Sequence, residues 1–325
     1  MSAQTATLER ASSRLAVVRF DRLLALYAVV PLCVALVAGY LALAGGALRR
    51  VLPSHPDKLL FFTVFFNLPH IVASHLTFAD AEYLPKYRTR ILWFGAGLLV
   101  VTVALKQLAP MVLGALAVLF TVFHICAQQV GLTGAQLRVG DRTFTAWKWI
   151  TIASGVAAYA FAVDGTEAVR RHFAALGLAL LVPSYLLAAR LHRRAATAAG
   201  RRYLWANQAM FTAMIGLGLL GYPIFAALMP RVVHDLTAFY VYGVHDHNRN
   251  RAGAKNAFYK LAAALRVPTW IAGPAAGVLI ALAIERALPP QTALVIVYTI
   301  SAFHYYLEGV VWKRGSPHRE HVAFA

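Results

Sequence analysis

Ten stretches of mostly apolar residues, separated by short polar loops, run along this chain: Leu23–Leu43, Leu59–Ala79, Ile91–Leu108, Met111–Gly131, Phe144–Val163, Phe173–Ala189, Leu204–Leu228, Val232–His247, Thr269–Ile284 and Thr292–Trp312. An α-helix of about 20 residues spans the hydrocarbon core of a bilayer. The pattern therefore predicts an all-α, polytopic integral membrane helical bundle of about ten transmembrane helices. The eighth stretch is short and tyrosine-rich. Domain organisation follows directly, with an N-terminal segment over 1–22, one transmembrane domain over 23–313 and a tail over 314–325. Met1–Arg19 is rich in Ser, Thr and Ala and has no apolar core ahead of a small-residue cleavage site, so the first span is expected to act as an uncleaved insertion signal. No repeat of fixed period is visible.

Composition supports the membrane reading. Hydrophobic residues make up 60% and charged residues 14%, against roughly 25% charged in a soluble domain. The net charge of +18 does not take the form of a basic stripe interleaved with aromatics, so it is assigned to topology and not to nucleic acid. With both termini cytoplasmic, 23 of the 31 Lys and Arg residues fall on the inner side and 8 on the outer. The positive-inside rule selects that orientation, in a bacterial inner membrane. Its clearest anchor is the loop from Arg190 through Arg193 and Arg194 to Arg201 and Arg202. Cys33 and Cys126 both lie in apolar stretches and are read as packing residues.

Five histidines fall inside the spans: His70, His75, His124, His245 and His304. An ionisable group in hydrocarbon costs a few kcal/mol or more unless paired or liganded. His70, His124 and His304 lie about eleven to thirteen residues into even-numbered spans that run in one direction, which at 1.5 Å per residue puts them within about 3 Å in depth; His245 is nearer the inner end. This layer predicts a shared metal ion. Imidazoles without thiolate suit a mononuclear ferrous or zinc centre; copper and haem are the other options. Glu308 follows His304, and Gln128 follows His124, by four residues on the same helical face. Glu308 and Asp246 are the candidate catalytic carboxylates. His247 is a further candidate ligand, although it stands about 200° from His245 around a regular helix. His234 and Asp235 are expected at the outer interface, and His55, His172, His192, His318 and His321 in solvated loops or the tail.

Leu68-Pro69-His70 and Phe123-His124 resemble motifs of the Brp/Blh-type membrane β-carotene dioxygenases. The order of a short span with clustered histidines (His245, His247) and a final histidine helix ending at Lys313-Arg314 is similar as well. The resemblance covers four short islands. It implies a polytopic fold, a histidine-bound ferrous iron and cleavage of a carotenoid with dioxygen, with His70, His124 and His245 as ligands. The chain departs from that pattern in having Ile71 in place of a glycine and His245-Asp246-His247 in place of a His-x-x-x-His pair.

The functional expectation is an iron-dependent membrane oxygenase acting on a lipophilic substrate from the bilayer, such as a carotenoid, acyl lipid or quinone. Phe61, Phe62, Phe65, Phe66, Tyr240, Tyr242, Tyr305 and Tyr306 would line its path. One alternative is a proton-coupled or metal-ion transporter, for which Pro69, Pro183, Pro223 and Pro274 would interrupt helices. Another is a di-iron desaturase or hydroxylase, whose first histidine box matches His70-x-x-x-x-His75 but whose adjacent-histidine boxes are absent. No mid-span lysine is present for a retinal Schiff base.

Overall fold

The computed structural model describes residues 15–45, 47–52, 68–162, 167–251, 253–313 and 315–325. His55, the aromatic run Phe61, Phe62, Phe65 and Phe66, residues 1–14 and the first half of the second predicted span lie outside them. The main elements are β1 (Val17–Val18), α1 (Phe20–Ala44), α2 (Leu68–Leu76), α3 (Tyr83–Leu108), α4 (Pro110–Leu137), α5 (Arg142–Ala162), α6 (Glu167–Arg194), α7 (Ala198–Leu219), α8 (Pro223–Asn250), α9 (Ala257–Ala264), α10 (Thr269–Ala287), α11 (Pro290–Val311), α12 (Pro317–Glu320) and β2 (Ala323–Phe324).

Among the described residues, seven helices are long and apolar enough to cross a membrane: α1, α3, α4, α6 (from Val169), α8, α10 and α11. The outward face of α3 is apolar. Trp93 and Val100 are 78% and 67% exposed on it, the kind of apolar surface that meets lipid or a partner.

One helix boundary differs from the sequence expectation. The gap at 229–231 between the expected spans Leu204–Leu228 and Val232–His247 is helical, and the break falls instead at Gly221, whose φ of +82° suits glycine, before Pro223, the first residue of α8. The predicted short eighth span is thus part of a 28-residue helix with Pro230 inside it. Pro183 and Pro274 are likewise interior to continuous helices. Proline removes one backbone hydrogen bond but need not break a long helix whose freed carbonyl can find another partner.

The chain forms two compact units. The first comprises Met1–Phe20, Leu68–Pro110 and Ala238–Ala325, and the second Asp21–Asn67 and Met111–Thr237. In the second unit, α4, α5 and α7 meet where Gly155 faces Cys126 and Phe211. A polar seam runs beside that junction: the Tyr27 hydroxyl reaches Gln129 Oε1 at 3.0 Å and Asn207 Oδ1 at 3.1 Å, and Asn207 donates to Thr133. In the first unit, α2 packs on α10 with Gly277 against the carbonyl of Pro69. Leu68, Val72 and Ala281 form the core there.

The two described ends of the chain meet in the first unit. β1 pairs in parallel with β2 (Val17 with Ala323, Val18 with Phe324), and Phe20 stacks on Phe324. The Asn248 side chain accepts from Ala16 N and donates to Ala16 O and His321 O. Nothing in the hydropathy pattern announces strands of two residues.

Beneath this junction lies a buried network. Arg249 pairs with Asp80 through Nε and Nη2 at 3.0 and 2.9 Å, reaches the exposed Glu82, and covers the Tyr83 ring. Burial raises the Asp80 carboxyl, but Arg249 and the Glu82 and Tyr83 N–H groups outweigh it and hold its pKa below the usual range. His318, expected in solvent, is fully buried. Its ring stacks on Tyr83 at 3.9 Å and on His245 at 4.9 Å. Burial, with His245 adding to it, depresses the His318 pKa to about 2, and the opposing pull of Asp80 is weaker.

A released His318 takes up a proton near its ordinary pKa of about 6.5, while the docked ring does not until about pH 2. The undocked state therefore binds more protons across that window, and docking must weaken as pH falls below about 6.5. Limited proteolysis of the tail is expected to speed up from pH 7.5 to pH 5, and His318→Phe to remove most of that dependence. An unchanged pH response in the variant would assign it to another group.

Candidate metal centre

In the first unit, α2 and α11 bring His70, His75 and His304 together. The His70 and His304 rings lie edge to face with centroids 5.1 Å apart, and His75 is 6.2 Å from His304. His70 and His304 are buried. One turn along α11, Glu308 places Oε1 3.8 Å from His304 Nε2.

Two hydrogen bonds orient the imidazoles of this group. Ser74 Oγ lies 2.6 Å from Ile71 O and 2.7 Å from His304 Nδ1 and hydrogen-bonds both. That contact leaves His304 Nε2 on the Glu308 side. His75 Nδ1 also donates to Ile71 O, at 2.7 Å. That leaves His75 Nε2 basic, buried and without a hydrogen-bond partner among the described residues. A backbone carbonyl or hydroxyl on one ring nitrogen, with the other nitrogen turned inward, is the usual support for a metal-ligating imidazole. Two histidines and a carboxylate form a donor set that suits ferrous iron with open positions. His304 Nε2 and Glu308 Oε1, 3.8 Å apart, can reach one such ion.

His245 and Asp246 lie in the network under the tail. His245 Nδ1 donates to Asp246 Oδ1 at 2.9 Å, and its Nε2 is 3.1 Å from the Tyr83 hydroxyl. Asp246 also accepts from Tyr259 at 2.5 Å and from Thr77 at 3.3 Å. For His245 to hold a metal, the Tyr83 hydroxyl would have to release Nε2. His247 stacks on Trp270 with centroids 5.3 Å apart. Gln128 accepts from Gln129.

In the second unit, His124 on α4 meets His234 on α8, their rings edge to face at 4.8 Å. His234 Nε2 is 3.7 Å from Asp235 Oδ1, and Arg231 Nε is 3.3 Å from Asp235 Oδ2. All four residues are buried. His234 and Asp235, which the sequence reading placed at the outer interface, are thus core residues, as is Arg231. The cause is the early start of α8, which puts His234 eleven residues inside the helix.

An aromatic track on the first unit leads toward His75. Phe94, partly exposed on α3, stacks on Tyr306 at 3.7 Å and lies 6.3 Å from Phe303, which is 5.5 Å from His75. No protein-family profile, curated protein or solved structure matches this chain.

Proposed function

We propose that this chain is a non-haem iron oxygenase of the inner membrane, acting on a lipophilic substrate drawn from the bilayer. His70, His304 and Glu308 hold the ferrous ion in this reading, with His75 beside it. The observation that carries it is a buried imidazole facing a carboxylate: Ser74 Oγ holds His304 Nδ1 at 2.7 Å, and Glu308 Oε1 stands 3.8 Å from His304 Nε2. Bound iron supplies dioxygen activation.

The protein's own residues do the rest. Ser74 and Ile71 keep two imidazoles oriented, Glu308 balances part of the ion's charge, and Tyr242 hydrogen-bonds Glu308 from α8. Phe94, Phe303 and Tyr306 give a flat apolar molecule a lipid-side approach, which suits a polyene, acyl chain or quinone. The resemblance of Leu68-Pro69-His70 to the Brp/Blh motif points the same way. The excess of Lys and Arg in alternate loops supports cytoplasmic termini.

The test is metal analysis and an absorption spectrum of detergent-purified protein beside His304→Ala, followed by oxygen-uptake assays with polyenes, acyl lipids and quinones. Bound iron without a Soret band, at least one equivalent of it lost in the variant together with oxygen uptake, is the expected result. Metal-free protein after chelator-free purification would reject the oxygenase and favour a proton-coupled transporter.

A further inference from the structure

We propose an anionic phospholipid site on the second unit, at the end where the α4–α5 and α6–α7 turns lie side by side. Three contacts fasten those turns together: Ala196 N donates to Leu137 O at 3.3 Å, Thr197 Oγ1 donates to Gln136 O at 3.0 Å, and Arg194 Nη2 pairs with Asp141 Oδ2 at 2.5 Å. The fastening gathers Arg138, Arg142 and Lys148 from one segment with Arg190, Arg193, Arg194, Arg201 and Arg202 from the other. Asp141 is the single carboxylate within residues 136–149 and 190–202.

Topology alone requires these charges on one side of the membrane. It does not require them to converge without neutralisation. Arg138, Arg142, Arg190, Arg193 and Arg202 are exposed, and among the described residues none of the five makes an ion pair, Asp141 being engaged by Arg194. Like charges held together repel, and a phosphodiester that accepts from two guanidinium groups relieves that repulsion.

The surface beside the arginines makes the partner a lipid and not a soluble anion. Val182, Leu186, Arg190 and Arg193 fall within about 80° of one another around α6, and Val182 and Leu186 are each 63% exposed. An apolar stripe thus runs into two unpaired guanidinium groups on one helix face, in the order of acyl chain and headgroup. Tyr185 and Trp205, with ring centroids 5.9 Å apart, and the half-exposed Trp149 belong to the same end. Tyrosine and tryptophan in that position meet headgroups at the membrane interface.

The experiment is native mass spectrometry of the full-length protein in detergent, titrated with phosphatidylglycerol, phosphatidylcholine and inorganic phosphate. Wild type is expected to hold one phosphatidylglycerol at least about tenfold more tightly than phosphatidylcholine, and inorganic phosphate is expected not to displace it. Each arginine near an anionic lipid contributes about fivefold in affinity, so Arg190→Gln with Arg193→Gln should weaken phosphatidylglycerol about 25-fold. Arg88→Gln with Arg90→Gln removes the same charge from the exposed start of α3 and should bind as wild type does. Should the first double variant fail to insert, Leu186→Ser leaves every charge in place and is expected to lower phosphatidylglycerol affinity several-fold.

Equal affinity for the two lipids, unchanged binding in Arg190→Gln with Arg193→Gln, or an equal loss in the α3 control would overturn the site and return these arginines to topology alone. Displacement by inorganic phosphate would overturn the lipid and leave a site for a free anion.

Discussion

Arg249→Met is expected to lower the unfolding free energy by about 3–5 kcal/mol, because it strands a buried carboxylate. Asp80 is only 1% exposed, and both its oxygens are bound by Arg249. Methionine fills much of the volume but leaves the charge without its partner, and the Tyr83 ring loses its cation. Glu82 also contacts Arg249, yet it is exposed, and ion pairs in water contribute little; Glu82→Gln should be nearly neutral. Arg249→Lys should recover part of the loss, since a point charge replaces only one arm of a bidentate pair. Arg249→Met combined with Asp80→Leu removes both charges and should recover more. It will not recover everything, because Asp80 also accepts from Glu82 N and Tyr83 N at the start of α3. Unfolding in detergent, followed by circular dichroism, gives the ranking. A loss in Arg249→Met no larger than in Glu82→Gln would show that the network is solvated in the native protein.

How much of this was readable beforehand depends on the range of the interaction that decides it. Apolar runs of about 20 residues are a local signal, so the helical class and the stretches matching α1, α3, α4, α6, α10 and α11 were legible. The start of α8 was not, because proline reads as a breaker while Gly221 and Pro223 form a turn whose hydrogen bonds close locally, Tyr222 N to Leu217 O and Gly221 N to Gly218 O. That single boundary decided which histidine of α8 seemed deep. Counted from Pro223, His234 lies eleven residues into the helix and His245 twenty-two, so the same depth argument would have chosen His234. The pairing of His304 with Glu308 was visible as an i, i+4 spacing. Ser74 as the group that orients His304 was not, because that contact spans 230 residues. The burial of His318 was equally hidden, since it arises from stacking on Tyr83, far away in sequence.

Gly277→Ala is expected to remove most of the bound iron from the first unit, although residue 277 touches no proposed ligand. A Cβ at that position would lie 2.3 Å from the Pro69 carbonyl oxygen, 3.0 Å from its carbon and 3.1 Å from its Cα. All three are backbone atoms, so no side chain can swing aside, and α2 or α10 must move. Overpacking of this kind costs about 1–3 kcal/mol. The functional cost should be larger. Pro69 is bonded directly to His70, and metal sites tolerate only about 0.2 Å of error in ligand distance. A shift of α2 by several tenths of an ångström therefore separates His70 from His304 and Glu308, which belong to α11. Iron affinity should fall at least tenfold, and oxygen uptake on the order of 10²-fold, as for a misplacement of about 1 Å. Gly97→Ala is the matched control: it lies on α3 in the same unit, and an added Cβ there meets nothing within 4 Å. Its iron content should equal that of wild type. If Gly277→Ala is destabilised yet keeps its iron, α2 has moved together with α11 as one body, and the position of His70 is then set by its contacts with α11 and not by the close approach of α10.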